Sequence, residues 1–135
     1  MQLIFIVILG LHVLTGVFWA GMTITLARDP EIRAERFFQP QMGSASVVFI
    51  TGLLLWYFFH NGAFGDIEMV LSIGIVCAIA AAGVLGAMVG SARRQLQGAS
   101  AVQETALRAR MSKGERIAAG LLVVTVVCMA IARLF

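Results

Sequence analysis

The sequence predicts an all-α fold: an integral membrane four-helix transmembrane bundle in a single domain over residues 1–135, with both termini on the outer side. Three observations predict it. Hydrophobic residues make up 60% of the chain and charged residues 13%, against about 45–50% and about 25% in an ordinary soluble domain. A soluble domain of this size leaves roughly a third of its unfolded surface in contact with solvent, so lipid is the natural solvent here. Residues 3–27, 42–59, 69–90 and 117–132 contain no Asp, Glu, Lys or Arg, and each is close to the roughly 20 residues that cross a hydrocarbon layer about 30 Å thick. The third observation is the uneven placement of positive charge.

The first span has no Lys or Arg before it and is longer than the apolar core of a signal peptide, so it reads as a retained helix. After it, Asp29-Pro30-Glu31 has the form of a helix start, with Asp29 as cap and Pro30 at the first helical position. Pro40 is expected to begin or kink the second span. Residues 61–66, Asn-Gly-Ala-Phe-Gly-Asp, form a short turn. The connection from Ser91 to Gly114 holds two capping boxes, Ser100-x-x-Gln103 and Ser112-x-x-Glu115. They predict a short cytoplasmic helix over 101–111 and a fresh start for the fourth span, with Glu115 at its cap.

Nine of the ten basic residues (Arg28, Arg33, Arg36, Arg93, Arg94, Arg108, Arg110, Lys113 and Arg116) fall in the loops after the first and third spans, leaving only Arg133 on the other side. The positive-inside rule places those loops in the cytoplasm and both termini outward, as in a bacterial inner membrane protein. Topology and anionic lipid headgroups account for the basic loops, so no nucleic-acid partner is implied.

Small residues mark where helices approach in lipid. Gly83, Gly86, Ala87, Gly90 and Ser91 crowd the third span, and Gly86-x-x-x-Gly90 is a G-x-x-x-G motif. Gly10, Gly16, Ala20 and Gly21 serve the first span, and Gly43, Ser44, Ala45 and Gly52 the second. These faces serve packing within the bundle and offer a route to a homo-oligomer or a larger membrane complex.

Chemistry concentrates at His12. It lies ~15 Å from the outer end of its helix at about 1.5 Å per residue, where a titratable ring is costly and usually functional. His12, Gly16, Trp19 and Thr23 share a helix face by their spacing. A ring with a lone pair, a gap at Gly16 and an aromatic wall at Trp19 suits an axial ligand to haem iron. The other reading of the same residues is a neutral histidine bonded to Thr15, a serine or a carbonyl of a neighbouring helix. His60 follows the aromatic stretch Trp56-Tyr57-Phe58-Phe59 and reads as an interfacial residue. Cys77, Cys128 and Met129 make a copper site with histidine an alternative cofactor. The spans themselves hold no carboxylate for a proton relay, no inverted repeat and no hydrolase or phosphate-loop motif.

Leu11-His12 followed by Trp19-Ala20-Gly21, with Arg36-Phe37 and Thr51-Gly52-Leu53-Leu54 in the second span, resembles the group of four-helix membrane domains that includes the CopD-type and HemJ-type proteins. The likeness covers residues 8–60. It implies a four-helix bundle and, in the HemJ branch, a haem b ligated by the first-helix histidine, here His12. HemJ-type chains continue past the tryptophan with a Tyr/Pro/Arg stretch and another histidine, where this chain has Met22-Thr23-Ile24-Thr25-Leu26-Ala27-Arg28. The sequence thus points to a small haem-binding membrane protein with a redox or electron-transfer role, His12 as ligand and Gly16 and Trp19 lining the site. A non-catalytic accessory or scaffold subunit of a larger complex is the alternative, and a HemJ-like protoporphyrinogen oxidase a further one.

Overall fold

A computed structural model of the protein describes residues 2–29, 31–59, 62 and 64–134. Four helices are long and apolar enough to cross a membrane: α1 (Gln2–Arg28), α2 (Ala34–Phe59), α3 (Asp66–Gln95) and α4 (Ala101–Ile131). Each extends past its uncharged stretch, because flanking residues such as Ala34, Glu35 and Ala101–Arg110 are good helix formers that need no lipid. The chain forms an all-α four-helix bundle.

α1 packs against α2 and α4, and α3 packs along α4. The main meeting of α3 with α2 is at a π turn, Leu85–Gly90, inside α3. Consecutive helices are therefore neighbours, and α2 faces α4 across the diagonal. The core is built from Trp19, Ala20 and Leu26 of α1, Ala45 of α2, Ala78, Ala81, Leu85 and Val89 of α3, and Met111, Ala118 and Leu122 of α4.

The π turn sits where backbones come closest. A Cβ on Gly114 of α4 would stand 2.8 Å from Met88 Cβ, and one on Gly90 would stand 2.8 Å from the Phe38 ring. Gly90 of the G-x-x-x-G motif therefore serves packing within the chain, while Gly86 has nothing within 4 Å of its open face.

Three local expectations are corrected. Asp29 does not cap a helix: its carboxylate accepts the Glu31 N–H at 3.1 Å in a tight turn, and α2 begins at Ala34. Pro40 lies inside α2 rather than at its start, where its missing N–H forfeits one helix bond and its ring crowds the preceding turn. The short helix expected over 101–111 is not separate, because α4 runs unbroken from Ala101 to Ile131. The Ser100–Gln103 box does form, with Gln103 N–H donating to Ser100 Oγ at 3.3 Å and Ser100 N–H to Gln103 Oε1 at 3.0 Å. Residues 106–111, Ala-Leu-Arg-Ala-Arg-Met, then favour continuation, and Gly114 is tolerated because Met88 and Val89 fill its open side.

Candidate functional site

The face of α1 that carries His12, Gly16, Trp19 and Thr23 turns as a unit toward α2. His12 Nδ1 is 3.1 Å from the Val48 carbonyl oxygen and 2.9 Å from Thr51 Oγ1. Gly16 meets Val48 at 3.9 Å, Trp19 meets Phe49 edge-on with centroids 6.0 Å apart, and Thr23 receives a hydrogen bond from Gln41. Gly52 completes the seam, since a Cβ there would lie 3.0 Å from His12 Cε1.

These contacts fix the imidazole tautomer. The Val48 carbonyl only accepts, and the Thr51 hydroxyl has its own acceptor in the Val47 carbonyl at 2.7 Å. Nδ1 must therefore carry the proton. Nε2 is left with its lone pair and has no hydrogen bond among the described residues. The ring is half-buried.

The other expected site residues are placed differently. Val48 fills the hollow beside Gly16, and Trp19 is 1% exposed within the core. Trp19 is thus closed to a bound ligand, while Gly16 stays half-buried. His60 lies outside the described residues. Cys77 and Cys128 are unpaired thiols on α3 and α4, and no three His, Cys, Asp or Glu side chains gather among the described residues.

A second polar centre lies about three helical turns from His12, toward the basic end of the bundle. Gln41 Nε2 donates to Thr23 Oγ1 at 3.1 Å and to Glu115 Oε2 at 2.9 Å. Thr23, Gln41 and Glu115 are each 0% exposed. Trp19 Nε1, Gln41 Oε1 and Glu115 Oε1 are buried without a hydrogen-bond partner among the described residues. Nearer the end of the bundle, Arg108 pairs with Glu35 through two bonds of 3.1 and 3.0 Å and with Glu104 at 3.0 Å. A cavity of about 10 Å³, bordered by Ala34, Arg108, Ser112 and Glu115, separates the two α2–α4 bridges; it has room for about one water.

No family model, curated protein or solved structure matches the chain. The sites are therefore read from their own chemistry.

The sequence reading missed Gln41 and Glu115. Gln41 follows Pro40 and looked like the edge of a span, and Glu115 completed an apparent capping box. A signal was present in the spacing: Met111, Glu115, Ala118, Leu122 and Thr125 are all buried and step by four, three, four and three residues along one helix face. Extending that stripe below Ala118 turns Glu115 into the core.

Proposed function

We propose that the protein is a small haem b-binding membrane protein in which His12 supplies an axial iron ligand through Nε2. The observation that supports this is the tautomer: Nδ1–H is spent on the Val48 carbonyl and Thr51, which presents the Nε2 lone pair. Metal-ligating histidines characteristically donate their other ring nitrogen in this way, which fixes the ring and raises its basicity. His12 thus fits as an iron ligand. Trp19 is buried in the core against Phe49, which leaves half-buried Gly16 as the one of the two that could border a porphyrin. A porphyrin on His12 needs cover from outside the monomer, and a second copy bringing its own His12 supplies both the cover and a second ligand. Bound haem would contribute one-electron redox chemistry; the chain contributes an oriented imidazole in apolar surroundings.

Native mass spectrometry from mild detergent tests this reading. It predicts a species of two chains carrying one haem b, with the haem lost in His12→Ala. Apo-protein alone from haem-replete cells contradicts it.

A second reading is favoured by the same contacts. His12, Thr51, Val48 and Gly52 form a fastening between two helices, as expected of a non-catalytic accessory subunit in a larger membrane complex. That reading predicts no haem and a co-purifying partner. The oxidase reading rests on the resemblance over residues 8–60 alone.

In either case we place the basic end, with Arg28, Arg36, Arg93 and Arg108, in the cytoplasm of a bacterial inner membrane and both termini outside.

A further inference from the structure

Glu115 has no role in ligating haem, and its surroundings pose a separate chemical problem. A carboxylate at 0% exposure accepts one hydrogen bond from a neutral amide, and its second oxygen has none among the described residues. A buried ionised carboxylate without a cation or several donors is strongly disfavoured. Arg108, which borders the same cavity as Glu115, is already held by Glu35 and Glu104.

The pattern of satisfied and orphaned atoms identifies what is missing. Both amide hydrogens of Gln41 are used, one on Thr23 and one on Glu115 Oε2. Two acceptors from the same amide–carboxyl pair remain, Gln41 Oε1 and Glu115 Oε1. A carboxylic acid and a primary amide are complementary: N–H to one carboxyl oxygen and O–H to the amide oxygen close a ring of two hydrogen bonds. The pair therefore lacks one donor, which a proton on Glu115 Oε1 supplies.

We propose that Glu115 and Gln41 form a proton-binding site at the centre of the bundle, in which Glu115 is a neutral acid at neutral pH and donates to Gln41 Oε1. The step is a protonation alone, with the carboxylate and one proton giving the acid and no electron transfer. Around Glu115 the described neighbours are Gln41 from α2, which links it to Thr23 of α1, and Leu26, Ile32, Ala34 and Met111 beside the cavity, all uncharged. Arg108 on α4 borders the same water-sized cavity, which gives protons a way in from the basic end. Because Gln41 and Glu115 stand on diagonally opposed helices, occupancy of the site adds or removes one of the hydrogen bonds that join α2 to α4.

Infrared spectroscopy of the full chain in lipid at neutral pH tests the proposal without reference to haem. Every other acidic side chain is exposed or half-exposed, so a protonated carboxyl band belongs to Glu115. The expected result is a carboxylic C=O band that shifts in D₂O and is absent from Glu115→Gln. Should that variant fail to accumulate, wild-type protein labelled with ¹³C-glutamate must show the same band displaced. A wild-type spectrum with carboxylate bands only overturns the proposal in favour of a bridging water. Loss of the acid band when sodium replaces potassium overturns it in favour of a cation site.

Discussion

His12 Cε1 stands 3.0 Å from the position a Cβ would take on Gly52, so the imidazole lies against bare α2 backbone. This closeness ties the ring's orientation to a single missing methyl group. In Gly52→Ala the ring must shift by a few tenths of an ångström, and its Nδ1 bonds lengthen. Overpacking of this kind costs about 1–3 kcal/mol, partly offset by the better helix propensity of alanine. A net loss of roughly 1 kcal/mol is expected in reversible unfolding from detergent. Thr51→Val keeps the Val48 acceptor and should lose less, about 0.6 kcal/mol, the average for interhelical hydrogen bonds in a membrane.

Gly114 is a stricter case. The atom its Cβ would meet is Met88 Cβ at 2.8 Å, fixed to the backbone and unable to swing aside. Gly114→Ala should separate α4 from the π turn of α3 and cost about 1–3 kcal/mol. Gly120, with nothing within 4 Å, is the control: Gly120→Ala should be neutral or mildly stabilising. Equal unfolding midpoints for the two variants would argue against this helix pairing.

The bundle-centre site predicts a pH dependence of stability. The folded protein keeps the Glu115 proton, whereas the unfolded chain releases it near the ordinary carboxyl value of about 4.3. Between the two the unfolded state binds fewer protons, so stability falls as pH rises. It is greatest below about pH 4.3 and is lost progressively until the folded protein also deprotonates. Glu115→Gln removes this component, and its stability should vary less with pH across that window. Gln41→Leu leaves the acid without its amide and should cost about 1–3 kcal/mol.

At the basic end, the Arg108–Glu35 pair is bidentate but partly exposed, with side chains 32% and 19% accessible. Glu35→Gln should cost under about 1 kcal/mol, and the difference should shrink as salt is raised.

The four spans were legible because hydropathy and the absence of charge are local properties, readable without knowing any neighbour. The helix extents were not, because residues such as Ala101–Arg110 are held helical by propensity and by contacts like Arg108 with Glu35, to which hydropathy is blind. The shared face of His12, Gly16, Trp19 and Thr23 followed from helical geometry. What that face meets did not: Val48 and Phe49 occupy it, and only tertiary packing decides this. Glu115 was misplaced because one local pattern, Ser112-x-x-Glu115, competed with a longer one, the buried stripe from Met111 to Thr125. The stripe prevailed because burying Met111, Ala118 and Leu122 on one face rotates Glu115 inward with them.

The membrane orientation is open to direct labelling. A single cysteine at Arg94, in a chain with Cys77 and Cys128 replaced by serine, should react with an impermeant maleimide only after the cells are opened. Reaction in intact cells would reverse the topology.

Visible absorption of the detergent-purified protein tests the haem reading most directly. A Soret band in the wild type that shifts on reduction and is lost in His12→Ala is the predicted result. The absence of that band from protein made in haem-replete cells, or its persistence unchanged in His12→Ala, would contradict it.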